Sequence, residues 1–246
     1  APSTLNDLNE LAAAINNDAN YNSTLTTALA TKLPLAGGTL TGQLTVSSGK
    51  ILIGDSSSHT SDLLQIETPA SGGGHGIQIR RNDSNTAQGI GHILFGNNTD
   101  TDLAKIAAGT DGATDSGYLI FATQPTSGNL TDRMMIDSDG NVGIGVTPKT
   151  DWHTGYRAIQ IGESSAFFGK SAGDEVFMAQ NARYTSGGWK YNSSGTAALF
   201  DMQSGNTRWR RAVSGSDDGT VSWSDSMFID TAGNVFALSS AHIFIY

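Results

Sequence analysis

A chain of 246 residues with formal charge −9 and only 15% charged residues is a poor match for nucleic acid, which needs a basic patch to meet phosphate. It has no cysteine, which excludes disulfide staples, thiolate metal sites and a cysteine nucleophile. Its 30 glycines, with abundant Ser, Thr and Asn, suit many short strands joined by turns better than an α/β enzyme.

The first predicted element is a helix over residues 5–30, within a coiled-coil segment assigned to residues 1–32. Leu8, Ile15 and Leu29 fall seven or fourteen residues apart, and Leu11 and Leu25 sit three beyond members of the same series. That is an a/d seam, interrupted by Asn22 at an a position and Asp18 at a d position. At ~1.5 Å per residue such a helix would span on the order of 40 Å. No second amphipathic helix follows to cover its stripe, so further copies of the same chain are the expected partners. Pro34 then stops the helix and holds Leu33 extended. A narrow β shaft is expected over 33–62. Gly37, Gly38 and Gly42 permit close backbone approach there, while Leu40, Leu44 and Val46 alternate on one face. Ile51 and Ile53 oppose Leu52 in a further short strand.

From residue 63 the pattern becomes strand after strand: 63–69, 75–83, 91–98, 103–110, 117–124 and 132–145, with Gly, Asn, Asp and Ser between them. An internal repeat divides this β-rich part into a first module, 63–150, and a second, 151–246. "MMIDSDGNV" at Met134–Val142 recurs as "MFIDTAGNV" at Met227–Val235, and each follows an "IQI" strand, Ile77–Ile79 or Ile159–Ile161. Each copy reads as a β-hairpin with Gly140 or Gly233 in its turn. The polar stretch 148–155 marks the boundary. The second module holds every tryptophan, Trp152, Trp189, Trp209 and Trp223, and closes on the apolar strand 241–246. As a bare edge that strand would invite aggregation, whereas pairing with a neighbouring copy would close the tip.

Two of these segments carry a resemblance. Asp7–Val46, with its helix, its proline and "LAGGTLTG", is similar to a segment that recurs in bacteriophage tail fibres. Arg133–Pro148 resembles the "ID-x-x-GNVGIG" stretch of the same proteins, and the two together cover about a quarter of the chain. The resemblance implies a mainly β, elongated, homotrimeric virion appendage that binds the host bacterial surface, through surface glycan or an outer-membrane component, and joins other virion tail proteins. Such a protein is made in the host cytoplasm and needs neither a signal peptide nor a membrane span, and the sequence shows neither pattern. Fibres of this type often end in a self-cleaving chaperone domain, which nothing here matches. Because the chain opens almost inside the helix, a fragment of a longer fibre is expected.

The chemistry-bearing residues give little to an enzyme. Asp137, Asp139 and Asn141 have the opening spacing of a calcium loop, but Pro148 stands where the closing glutamate belongs, so a hairpin turn is the better reading. The five histidines are scattered without ligand spacing, and no cofactor or metal is expected, although a trimer axis could align three copies of one histidine. Serine and phosphate-loop motifs are missing. A polysaccharide depolymerase would need Asp174–Glu175 or Asp217–Asp218 as its acid pair, yet neighbours on a strand point to opposite faces. The remaining group is aromatic and basic: Tyr184, Trp189, Lys190 and Tyr191 in one segment, Arg208, Trp209 and Arg210 in another. As a receptor site, the rings would stack on sugars and the arginines would pair with anionic glycan groups. As plain strand alternation, Trp209 would pack inward while Arg208 and Arg210 face water. A purely structural shaft or connector is the third reading.

Overall fold

A computed structural model describes residues 12–13, 15, 18, 20–30, 42–47, 49–54, 57, 60–68, 76–238 and 243–244. The chain divides into two compact units, Ala1–Ile77 and Gln78–Tyr246.

In the first unit the helical backbone is interrupted. Helix α1 runs Tyr21–Ala30, and Asp18 precedes it in non-helical backbone. The Asn20 N–H donates to Asp18 Oδ1 at 2.8 Å, and the Tyr21 N–H donates to the Asp18 carbonyl at 3.2 Å. An aspartate that satisfies the first free N–H groups starts a helix instead of continuing one. The continuous helix expected over 5–30 is therefore corrected to one that breaks ahead of α1: Ala12 and Ala13 are helical, Ile15 lies in a turn and Asp18 is non-helical, so the described stretch α1 is ten residues, ~15 Å long. Within the expected seam, Ile15 lies in the turn before α1, Asn22 and Leu25 are exposed on it, and Leu29 is near its end. Leu8 and Leu11 lie outside the described residues, as do Leu33–Leu40. Leu44 and Val46 are exposed in backbone that joins no ladder. Strands β1, Ile51–Ile53, and β2, Leu64–Ile66, pair in parallel, with Ile51 opposite Leu64 and Ile53 opposite Ile66.

The second unit is built on one large sheet. Its first strands are β3 Gly89–Phe95, β4 Ala104–Thr110, β5 Gly117–Thr123, β6 Thr131–Ile136 and β7 Val142–Ile144. They are followed by β8 Tyr156–Ile161, β9 Ser165–Lys170 and β10 Glu175–Gln180. A separate hairpin, β11 Ala182–Thr185 and β12 Gly188–Tyr191, interrupts the series before β13 Gly195–Gln203, β14 Asn206–Gly215, β15 Ser224–Ile229 and β16 Val235–Leu238. Apart from that hairpin, twelve strands lie side by side in chain order, and the two-residue β17, Ile243–Phe244, adds a thirteenth beyond β16. Every neighbouring pair is antiparallel except β7–β8, which is parallel. Residues 145–155 make that connection, so the sheet runs through the stretch where two modules were expected to meet. Residues 76–83, of the strand expected over 75–83, join no ladder. Ile79 instead lies over Gly91, where a Cβ would come within 2.2 Å of its Cγ2.

The repeated "ID-x-x-GNV" folds twice into the same hairpin, β6–β7 and β15–β16. Asp137 Oδ1 accepts the N–H groups of Asp139 and Asn141, and its Oδ2 accepts the Asn141 side-chain amide. Asp230 does the same for Ala232 and Asn234. The glycine of each copy takes a left-handed backbone, φ 81° at Gly140 and 86° at Gly233. The copies differ in one respect. Asn141 is buried and its Oδ1 accepts the Ala158 N–H of β8, whereas Asn234 is exposed.

Only part of the sheet is covered. Over β8–β10 and β13–β14 one face packs beneath the β11–β12 hairpin, burying Trp152, Tyr156, Phe168, Phe177, Ala179 and Leu199 among others. Strands β3–β7 pack chiefly against their sheet neighbours, and Ile93, Leu94 and Phe95 are exposed on alternating faces of β3.

Candidate functional site

The aromatic hairpin owes its shape to its turn. Thr185 Oγ1 accepts the Gly187 N–H at 3.1 Å and donates to the Gly188 carbonyl at 2.9 Å, and Gly188 takes φ 93°. This sets Tyr184 opposite Trp189 and Ala182 opposite Tyr191. Trp189 then faces the sheet, with ring centroids 5.8 Å from Phe168, 5.4 Å from Phe177, 5.3 Å from Tyr184 and 5.3 Å from Trp223. Tyr184 also meets Tyr156 at 5.3 Å and His153 at 5.5 Å. Tyr191 is 3% exposed, and its hydroxyl donates to the Val213 carbonyl. Lys190, on the opposite side of the strand, reaches Thr220 Oγ1 at 3.4 Å. Three of the four expected receptor residues in this segment are therefore packed into the aromatic core.

On the side of the hairpin away from the sheet, opposite Lys190, an unexpected arginine ties the hairpin to the loops that flank it. Arg183 is 3% exposed and grips Asp151 with two bonds, Nε to Oδ1 at 2.8 Å and Nη2 to Oδ2 at 2.9 Å. It also pairs with Asp218 and donates Nη1 to the Tyr191 carbonyl at 2.8 Å. Burial opposes its charge, yet the two carboxylates outweigh burial and raise its pKa, while Arg183 in turn holds Asp218 below the usual carboxylate range. Nearby, the Tyr156 hydroxyl donates to Glu175, which Lys170 Nζ also meets at 3.0 Å. Burial, reinforced by the Glu175 carboxylate, pushes the Tyr156 phenol up. Burial also raises Glu175, but its bonds from Tyr156, Gln203 and Lys170 prevail and hold it low.

The second aromatic-basic segment reverses the alternation expected for it. Arg208 and Arg210 lie on the face that carries Asp201, which is 0% exposed. Arg208 Nε donates to Asp201 Oδ1 at 2.8 Å, and its Nη2 donates to Gln203 Oε1 at 2.5 Å. Arg210 Nε stands 3.2 Å from both Asp201 and Asp225, out of line for a hydrogen bond to Asp201 Oδ2. Burial, with Arg208 beside it, lowers the Arg210 pKa against the pull of those carboxylates. Trp209 points the other way, against Phe200 at 4.8 Å, and is 37% exposed. Trp189 and Trp209 therefore sit on opposite faces of the sheet and do not make one site.

The acid pairs that a depolymerase would need are split by the same geometry. Glu175 is engaged by Tyr156 and Lys170, and Asp218 by Arg183. The calcium-like spacing of Asp137, Asp139 and Asn141 is occupied by the hairpin's own hydrogen bonds. His153 packs edge-on against Tyr156 and accepts the Gly155 N–H at 3.0 Å; His92 is exposed, and His59, His75 and His242 lie outside the described residues. No metal-holding group of three or more His, Cys, Asp or Glu occurs among the described residues.

Sequence reasoning missed Arg183 and Asp201, whose partners lie 7 to 35 residues away. It also missed the apolar face that carries Phe167, Met178 and Phe200, although one signal was present. "AFFG" and "VFMA" place large apolar side chains on both faces of β9 and β10, the mark of a strand covered on both sides. The chain matches no protein-family profile and no curated protein.

Proposed function

We propose that this chain is part of a homotrimeric bacteriophage tail fibre, or fibre tip, that attaches the virion to the host bacterial surface through glycan or an outer-membrane component. The resemblance of Asp7–Val46 and Arg133–Pro148 to tail-fibre segments motivates the reading. The observation that carries its oligomeric part is the thin sheet of β3–β7. Ile106, Ile120, Phe121, Met134 and Met135 are only half-buried there, and Ile93, Leu94 and Phe95 are exposed. Soluble monomers rarely leave contiguous apolar surface of this kind wet. Three copies around one axis would cover it and would present three equivalent attachment sites, turning weak single contacts into avidity.

A second reading, a structural shaft or connector, draws support from the core positions of Tyr184, Trp189 and Tyr191. Attachment then needs other residues, and Lys190, on the outer side of the hairpin, remains a candidate. Two measurements separate the readings. Sedimentation of the purified chain at micromolar concentration should give a three-chain mass, and a stable, folded single copy would end the trimer proposal. Fluorescently labelled protein should stain some strains in a panel of Gram-negative bacteria. A trimer that stains none across a broad panel would favour the connector.

A further inference from the structure

Register reveals a continuous apolar row that the linear sequence hides. Starting at Val142 of β7, the residues directly opposite one another are Ile159, Phe167, Met178, Phe200 and Trp209, and then Met227 of β15. In the other direction Val142 faces Ile136, which faces Leu119, Ala108 and finally Gly91 of β3. Ala237 of β16 closes the far end. The row crosses all twelve main strands without a charged or polar side chain. It lies on one face throughout, because directly paired residues share a face of a pleated sheet.

The opposite face differs in cover, and the row face carries its charges, Arg157 and Arg211, two residues along the strands from Ile159 and Trp209. In β8–β14 the opposite face carries the aromatic core under the β11–β12 hairpin together with Asp201, Arg208 and Arg210. On the row face no described element packs over these strands. Ile159 is 39% exposed, Phe167 47%, Met178 55% and Trp209 37%, beside an open groove of about 460 Å³. With ~150–250 Å² for each free side chain of this size, these four and their neighbours Ile161 and Met202 present on the order of 600 Å² of apolar surface. The largest apolar patch of a typical soluble monomer is about 300–600 Å² and often functional, so this one stands at the top of that range, and a stable interface takes about 800 Å² from each partner. The half-buried remainder of the row, apart from Gly91, which Ile79 of the same chain covers, makes up the difference.

We infer that this row is the seam along which copies of the chain associate, with the symmetry axis parallel to the row and like residues meeting at each level. The inference rests on the self-assembly in the reading above and assigns it a surface. A row parallel to an axis places every side chain beside its own copies, an arrangement that charged residues would oppose by like-charge repulsion and that uncharged ones tolerate. Trp209 becomes an interface residue and not a receptor contact.

The test uses Met178→Glu, Phe167→Glu and, as a control on an exposed turn, Thr150→Glu. By sedimentation over a concentration series, the two row variants should associate at least ~100-fold more weakly than wild type, because each copy would bring a charge to the same dry level. Thr150→Glu should associate as wild type does. Since a row variant could also unfold, Met178→Cys provides a milder probe in a chain without native cysteine. A short bismaleimide should link its copies covalently, while Lys190→Cys on the outer hairpin should stay unlinked. Wild-type association in both glutamate variants, or unlinked Met178→Cys in an assembled protein, overturns the row and leaves the trimer standing. A monomeric wild type overturns the trimer and the row together.

Discussion

Trp189 is the residue at which core and receptor readings diverge most, and its replacement by alanine separates them. The indole meets four other aromatic rings within 6 Å of centroid distance: Phe168, Phe177, Tyr184 and Trp223. Removing a core Phe or Trp costs about 3–5 kcal/mol, through lost transfer energy and the cavity left behind. Trp189 is half-buried, which places it near the lower end, about 3 kcal/mol. In a unit of this size each kcal/mol moves the melting temperature by about 2–4 °C, so a fall of roughly 6–12 °C is expected. Trp189→Phe keeps ring packing and should lose about half as much or less. Thermal denaturation followed by near-ultraviolet circular dichroism reads the loss, because the signal arises from this aromatic cluster. Staining of bacteria by the still-folded variant, measured well below its melting temperature, should stay within twofold of wild type. A stability change under ~1 kcal/mol combined with abolished staining would refute the core assignment and restore Trp189 to the attachment surface.

Four other substitutions probe the supports of the same unit. Arg183→Met should destabilise by about 2–3 kcal/mol in urea titration, at or below the low end for a broken buried ion pair. The reason for the low figure is that Asp151 and Asp218 are half or more exposed and can regain water. Glu175 is held below its ordinary value of 4.5, so it contributes stability that is present above about that pH and is lost as pH falls through its lower native pKa. Glu175→Gln should accordingly flatten the acid side of a urea-midpoint profile between about pH 5 and 3, and an unchanged acid limb would show the carboxylate to be unimportant. The two hairpin asparagines should differ. Asn141→Ala leaves the buried Ala158 N–H without its partner and should cost about 2–3 kcal/mol, while the exposed Asn234→Ala should cost about 1 kcal/mol. Equal costs in equilibrium unfolding would show that the link from the first hairpin to β8 adds nothing.

Strand identity was legible in this sequence because alternation and turn residues are local signals. The segments around β3–β7 and both "ID-x-x-GNV" hairpins fall where the pattern puts them, since aspartate, asparagine and glycine encode the turn within five residues. Helix continuity through Asp18 was misread for an equally local reason. A heptad series counts apolar positions and gives no weight to an aspartate oxygen that takes the Asn20 N–H and starts a new helix. Face assignment at Trp209 failed because alternation fixes only that Trp209 and its arginine neighbours point to opposite sides. Which side is covered depends on the β11–β12 hairpin and on Asp201, and the charge of Asp201 makes the inner side the arginines' side.

The apolar row lies further still from what a sequence can show. Its members are scattered from Gly91 to Ala237, and they align only once eleven registers are fixed in succession. A slip of one residue in any single pair would send every later member to the other face. The β14–β15 bulge between Trp209 and Arg210 shows how the phase is kept: Trp209 meets Met227 before the shift, and Arg210 meets Asp225 after it, so the tryptophan stays on the row while the arginine keeps a carboxylate partner. That phase ties the sheet to self-association. A row held uncharged through twelve strands is more than solubility requires of a free surface, and burial against identical copies, as proposed above, would account for it.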